Sequence, residues 1–289
     1  MSGERITFEG ADRVRLAADV GGSADGAAVM LLHGGGQTRH SWGETFERLA
    51  AAGYRVVNLD LRGHGESEWS ERGDYSLDAL SRDILAVVRT LAAPVALVGA
   101  SLGGISAFAA SALAEPGEIA ALVMVDIALR PSREGADRVS GFMSAHAGGF
   151  AGLDECAAAI AAYNPARPAR PGTANLLRNL RQREDGRFYW HWDPAILTRA
   201  EPGVLADQHA RLIEMSVRVR VPTLLVRGRL SDVVSLESVQ ELQRFVPQTE
   251  FVEIAETGHM IVGDRNEAFS ACVLDFLKVQ HPVRQGNRT

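Results

Sequence analysis

The sequence predicts an α/β protein built on a mostly parallel β-sheet with helices on both faces. Short apolar runs alternate along the chain with stretches of helical spacing, which is the pattern of strands joined by helical crossovers. Of the 289 residues, 46% are hydrophobic and 23% are charged, and the formal net charge is −6. This composition is typical of a globular protein, and a net negative chain is not expected to bind nucleic acid.

Eight segments are predicted as the strands of the sheet, and the first two form a hairpin. In chain order they are residues 6–9, 14–19, 29–33, 55–59, 95–99, 121–126, 223–226 and 251–254. Helical spacing is found at 42–52, 77–92, 102–114, 236–245 and 267–279. Helices lie between successive strands, so most neighbouring strands should run parallel.

Segment 127–220 interrupts this alternation and is too long for a loop in a compact domain. It has helical stretches of its own at 153–163 and 174–183, and an aromatic run at 188–192. We predict a helical cap, residues 131–215, inserted into a core domain made of residues 1–130 and 216–289. No stretch of about 18 apolar residues is available to span a bilayer, and the N-terminus lacks the apolar segment of a signal peptide, so a cytoplasmic protein is expected.

Ser101 is the candidate nucleophile. It lies in the pentapeptide Gly-Ala-Ser-Leu-Gly at 99–103, where an apolar strand ends and a helical pattern begins. A serine on such a sharp turn is forced toward positive φ, and the flanking glycines let the backbone pass closely. The turn also places a helix N-terminus, with its free N–H groups, beside any anion that develops at the serine.

The segment His-Gly-Gly-Gly at 33–36, which we call the oxyanion loop, follows an earlier buried strand. Glycines here allow a backbone N–H to face an oxyanion, and the N–H of the residue after the nucleophile, Leu102, would complement it. We predict Gly35 as the second donor, with Gly34 as the alternative. His33 is interpreted as a structural residue, and neither phosphate-binding glycine motif fits this loop.

A serine hydroxyl needs a base to take its proton and an acid to orient that base. Position selects His259, which follows the last strand at the carboxyl edge of the sheet, where ligands bind in open α/β folds. Asp232 follows the preceding strand at the same edge and is predicted as the acid. Asp126 also ends a strand there and is the rival, with hydrogen bonding to the backbone as its other role.

Six motifs together resemble the α/β-hydrolase superfamily. They are HGGGQTRHSW at 33–42, DLRGHGES at 60–67, GASLGG at 99–104, VDIA at 125–128, GRLSDVV at 228–234 and ETGHM at 256–260. The order Ser101, Asp232, His259 matches the order of the catalytic residues in this superfamily. The resemblance implies the α/β-hydrolase fold, with a mostly parallel eight-stranded sheet and an inserted lid. It is greatest to bacterial epoxide hydrolases, cofactor-free haloperoxidases and C–C hydrolases, but Ser101 replaces the aspartate nucleophile of epoxide hydrolases.

Other residues have less specific signals. His40 and Trp42 follow the oxyanion loop and are candidates for the pocket, although Trp42 would equally suit the core. Trp190 and Trp192 alternate in the cap, so both should face the same way, either into the acyl pocket or into the cap's own core. His64 is interpreted as a structural residue of a tight turn, and no metal-binding motif is present.

The sequence therefore predicts a serine hydrolase of carboxylic esters or related acyl compounds that needs no cofactor. Its partner would be a small ester or acyl substrate, and the sequence gives no indication of an oligomeric state. Two alternatives use the same residues: hydrolysis of a C–C bond, and cofactor-free perhydrolase or haloperoxidase chemistry. A third is a ligand-sensing protein that keeps the residues without turnover.

Overall fold

A computed structural model describes residues 3–91, 94–163, 176–200, 202–259, 261–262 and 267–283. The strands, numbered in chain order, are β1 Glu4–Glu9, β2 Arg15–Gly22, β3 Ala28–Leu32, β4 Arg55–Leu59, β5 Val95–Ala100, β6 Ile119–Val125, β7 Leu180–Gln182, β8 Phe188–Trp190, β9 Thr223–Gly228 and β10 Thr249–Ile254. The helices are α1 Gly43–Ala51, α2 Leu77–Val88, α3 Leu102–Leu113, α4 Arg133–Ala145, α5 Leu153–Tyr163, α6 Pro202–Ser216, α7 Leu236–Phe245 and α8 Glu267–Gln280.

Eight strands form the predicted sheet in the order β1-β2-β4-β3-β5-β6-β9-β10. The hairpin β1–β2 is antiparallel, and β2 also pairs antiparallel with β4. From β4 to β10 every neighbouring pair is parallel. The α/β-hydrolase architecture predicted from the sequence is therefore confirmed.

Alternating side chains of the central strands contribute to two apolar layers, one on each face of the sheet. In β3, Met30 and Leu32 point to one face and Val29 and Leu31 to the other, and all four are fully buried. Helices α2, α3, α6 and α7 cover the first face, and α1 and α8 cover the second. Burial on both faces explains why these strands are continuous apolar runs.

The cap segment between β6 and β9 contains α4, α5, the short hairpin β7–β8 and α6. The helix predicted at 153–163 is confirmed as α5. The helix predicted at 174–183 is wrong over its described residues, where a 3-10 turn, Leu176–Arg178, leads into β7; positions 174 and 175 lie outside the described residues. Apolar side chains of β7 and β8 pack with α5, so tertiary packing overrides the local helical pattern.

The division of the chain at 130/131 and 215/216 stays a prediction, and we keep the name cap for residues 131–215. No helix in the described part of the chain is long and apolar enough to cross a bilayer.

Candidate active site

Ser101 occupies the sharp turn between β5 and α3. Its backbone has φ 47° and ψ −113°, a left-handed conformation that a residue with a side chain rarely adopts. The Ser101 N–H donates to the Val125 carbonyl at 3.0 Å, which continues the β5–β6 ladder to the end of the sheet. The Ser101 side chain is therefore held at the carboxyl edge, next to the residue that follows β6.

Glycines let this turn pack closely, as the sequence predicts. A Cβ atom at Gly99 would collide with the carbonyl oxygen of Gly103. One at Gly103 would lie 2.6 Å from the carbonyl oxygen of His33. The first turn of α3 therefore lies directly against the oxyanion loop.

Of the three glycine N–H groups in the oxyanion loop, that of Gly35 has no hydrogen-bond partner among the described residues. The Gly34 N–H donates to Gln37 Oε1 at 3.1 Å, and the Gly36 N–H donates to His64 Nε2 at 3.2 Å. Gly35 lies between them, and a Cβ atom added there would be 3.8 Å from the Leu102 Cβ. Because Leu102 is the first residue of α3, its N–H has no intrahelical acceptor. These contacts favour Gly35 over Gly34 as the second donor.

His33 is a fully buried structural residue. Its Nε2 accepts the Leu61 N–H at 3.0 Å, so its Nδ1 carries the hydrogen and donates to the Gly34 carbonyl at 2.8 Å. Burial lowers the pKa of His33 from the usual histidine value, and this effect is larger than the opposing effect of Asp60. The ring is thus kept neutral as a fixed support of the oxyanion loop.

Burial likewise lowers the pKa of His281, whose Nε2 donates to the Ala28 carbonyl at 3.0 Å. When a histidine has a lower pKa in the folded state than in the unfolded chain, the unfolded chain binds more protons at acidic pH. The stability that His33 and His281 confer is therefore present above the unfolded pKa of about 6.5 and is lost as the pH falls below it.

We expect the free energy of unfolding, measured by urea titration, to decrease between about pH 7.5 and about pH 5.5. His281→Gln keeps a donor for the Ala28 carbonyl and removes the titrating ring, so its free energy of unfolding should depend less steeply on pH. Identical pH dependence in the two proteins would contradict the assignment of a neutral, buried His281.

His259 is hydrogen-bonded to Asp126. The distance between His259 Nδ1 and Asp126 Oδ2 is 2.8 Å, and the His259 side chain is only 8% exposed. A carboxylate accepts, so Nδ1 carries the hydrogen and Nε2 is left with a free lone pair for a proton. No hydrogen bond joins the Ser101 hydroxyl to His259 among the described residues; catalytic contacts of this kind often tighten only when substrate binds.

Asp126 directly follows β6 at the carboxyl edge of the sheet. It is fully buried and has a left-handed φ of 48°. Its Oδ1 accepts the Gly228 N–H at 3.0 Å, and its Oδ2 also accepts the Ser231 hydroxyl. Together with His259, these donors compensate for burying the carboxylate.

The prediction that Asp232 orients His259 is therefore wrong, and the rival Asp126 has this position. Asp232 instead forms a two-pronged ion pair with Arg138 of α4, with Nη2–Oδ1 and Nε–Oδ2 distances of 2.7 and 2.6 Å. The Ser132 hydroxyl also donates to the Asp232 carbonyl. Asp232, after β9, thus pairs with helix α4 of the cap, whereas Asp126, after β6, is hydrogen-bonded to His259.

Sequence reasoning missed two supporting side chains, Ser231 and Gln37. Ser231 directly precedes Asp232 and bonds the carboxylate of Asp126. Gln37 directly follows the oxyanion loop, and its side-chain oxygen accepts the Gly34 N–H. A polar residue within four positions of a predicted site is the only signal that the sequence offers for either of them.

The structure corrects part of the predicted pocket. Trp42 is fully buried between α1 and α8, with its ring 6.1 Å from that of Phe269, so it belongs to the core and the pocket assignment is wrong. His40 lies in a 3-10 turn beside Arg39, and its place in the pocket stays a prediction.

Trp190 and Trp192 both pack against apolar side chains of the cap, and the cluster that buries Trp192 also includes Tyr75 of the core domain. Trp192 is buried against Met143, and Trp190 meets the ring of Phe150 edge-on at 5.2 Å. Met143 in turn lies above the oxyanion loop, since a Cβ atom at Gly36 would be 3.4 Å from its terminal methyl carbon. The two tryptophans therefore support the residue that covers the loop.

In the part of the chain that the structure describes, no group of three or more His, Cys, Asp or Glu side chains could hold a metal ion. The arrangement instead combines a strained serine, a histidine oriented by a carboxylate, and two adjacent backbone donors. These are the parts that nucleophilic acyl transfer requires.

Comparison with known proteins gives a family that agrees with this arrangement of side chains. Residues 27–265 match the family model of the alpha/beta hydrolase fold, and the chain belongs to this family. It is 32% identical over 258 residues to the esterase Rv0045c of Mycobacterium tuberculosis, covering 86% of this chain and 81% of the relative. A crystal structure of that esterase matches with a TM-score of 0.74 and 26% identity, over 96% of this chain and 93% of the other.

A further structural match, E-2-(acetamidomethylene)succinate hydrolase, has a TM-score of 0.82 at 22% identity, and the match covers 95% of this chain and 100% of that one. At this level of identity the match supports the fold alone.

Proposed function

We propose that this protein is a serine carboxylesterase in which Ser101, His259 and Asp126 form the catalytic triad. The observation that carries the proposal is the 2.8 Å hydrogen bond between His259 Nδ1 and Asp126, made at the same sheet edge as the strained Ser101. It leaves His259 Nε2 as the base. The similarity to a mycobacterial esterase supports an ester as the substrate.

In the proposed mechanism the Ser101 oxygen bonds to the ester carbonyl carbon while its proton moves to His259 Nε2. The resulting oxyanion is held by the N–H groups of Gly35 and Leu102, each worth about 3 kcal/mol of the barrier. Collapse breaks the bond to the alcohol, which takes the proton from His259. Water then attacks the acyl-enzyme carbonyl carbon and passes a proton to His259. Collapse breaks the bond to the Ser101 oxygen, which takes that proton back from His259, and the acid is released.

Asp126 orients the imidazole and stabilises its charged form in both halves of this reaction. Hydrolysis of C–C bonds and perhydrolase chemistry would use the same three residues, and the esterase relative favours the ester over both. A ligand-sensing protein would bind an ester without turning it over. The proposed substrate is a small ester, and a cytoplasmic location stays a prediction.

The proposal is tested with p-nitrophenyl acetate and butyrate. We expect saturable hydrolysis with an initial burst of about one p-nitrophenolate per enzyme when deacylation is the slower step. Absence of turnover above that of heat-denatured protein, for these and for longer acyl chains, would contradict the proposal. Binding that raises the melting temperature without turnover would instead support the ligand-sensing alternative.

A further inference from the structure

The turn at residues 62–65 lies below the oxyanion loop and contributes one side chain to it. His64 is 1% exposed, and its Nε2 accepts the Gly36 N–H at 3.2 Å. Its Nδ1 lies 3.1 Å from the Arg62 carbonyl oxygen. Since Nε2 accepts, the hydrogen is on Nδ1 and is donated to this carbonyl. The ring therefore has a fixed tautomer and a fixed direction.

Three further contacts hold His64 itself in place. Its ring meets that of His33 edge-on, with 4.9 Å between the centroids. Its backbone pairs with Trp192 of the cap in an isolated antiparallel bridge. The two hydrogen bonds of that bridge run from the Gly65 N–H to the His191 carbonyl at 2.6 Å and from the Asp193 N–H to the Gly63 carbonyl at 2.8 Å. His64, which accepts the Gly36 N–H, is thus held by contacts with both the core and the cap.

We infer that His64 is a positioning residue that holds the Gly35 N–H toward the oxyanion by fixing Gly36. Gly36 has a φ of 74°, and such a glycine is free to rotate unless its N–H is bonded. Without the acceptor, the peptide group between Gly35 and Gly36 gains alternative orientations, and the Gly35 N–H is then held from one side only. His33 fixes the other end through the Gly34 carbonyl, so the two rings hold the loop between them. This inference rests on the proposed esterase function.

The test compares His64→Asn with His64→Gln in steady-state hydrolysis of p-nitrophenyl butyrate. Asparagine keeps a donor near Nδ1 and loses the acceptor at Nε2, whereas glutamine places an oxygen near Nε2. We expect His64→Asn to lower kcat by about 10- to 100-fold with KM within about twofold, because an oxyanion donor acts only in the transition state. His64→Gln should recover kcat to within about threefold of wild type.

Failure of the inference about His64 and failure of the proposed function give different results. If wild type turns over and His64→Asn, folded by circular dichroism, keeps the wild-type kcat, the inference is wrong and the proposed function stands. Equal losses of kcat in both variants, with KM raised alike, would also overturn it, because a merely structural role predicts no rescue. If wild type shows no turnover, the proposed function fails first.

A spectroscopic measurement on wild type covers the case in which His64→Asn does not fold. With ¹⁵N-labelled histidine and glycine, we expect His64 Nε2 to be unprotonated and coupled across a hydrogen bond to the Gly36 amide proton. A proton on Nε2 would exclude this nitrogen as an acceptor and overturn the inference.

Discussion

Replacing Ser101 with alanine is expected to lower kcat/KM for p-nitrophenyl esters by at least about 10⁴-fold. The variant keeps His259, Asp126 and both oxyanion donors, but no atom is left to form the acyl-enzyme. The residual rate should be that of binding and oxyanion stabilisation alone, about 10³ to 10⁴ over water. The measurement is steady-state hydrolysis, with the melting temperature showing that the fold is kept.

Ser111→Ala is the matched control, because Ser111 lies on the same helix α3 and its hydroxyl donates to the Ala107 carbonyl one turn back, its only hydrogen bond to a described residue. This variant should keep kcat/KM within about twofold, since intrahelical bonds of this type contribute little. Equal rates for wild type and Ser101→Ala would eliminate Ser101 as the nucleophile.

The second large effect is expected from Asp126→Asn. The asparagine amide still accepts the Gly228 N–H through its oxygen, but its NH₂ group faces His259 Nδ1 and favours the wrong tautomer. Nε2 would then carry the hydrogen and be unable to take the serine proton. We expect kcat to fall by about 10⁴-fold, the size of effect known for this change in triads of this type.

Asp232→Asn is the matched control for that experiment, because it makes the same chemical change at the neighbouring strand end. Asp232 and Arg138 are 34% and 44% exposed, and an ion pair at such a surface is worth about 1 kcal/mol or less. We expect kcat within about threefold of wild type. The reverse ranking of the two variants would show that Asp232 is the acid in solution.

The contrast between Ser101 and the aspartate that bonds His259 shows what the sequence can predict. The serine turn is encoded within five residues, because a buried strand, two glycines and a helix start together determine its backbone. His259 was identified by its position after the last strand. These features were correctly placed at the sheet edge because they depend on local pattern and strand order.

The aspartate partner of His259 could not be chosen in this way, because Asp126 and Asp232 follow neighbouring strands at the same edge. The choice depends on side-chain direction: φ of Asp126 is 48°, and Asp232 is drawn to Arg138, a residue 94 positions earlier in the cap. Which cap helix packs over the β9 loop is a long-range property that no local pattern encodes. The same limit explains Trp42, whose partner Phe269 lies on α8 at the other end of the chain.

The most direct test of the central claim is the proton NMR signal of His259 Nδ1–H, which a hydrogen bond to a carboxylate moves far downfield. The signal is assigned by its loss in His259→Gln. We predict that it is present in wild type and in Asp232→Asn and lost or strongly shifted in Asp126→Asn. Retention of the signal in Asp126→Asn, with loss in Asp232→Asn, would contradict the pairing of His259 with Asp126.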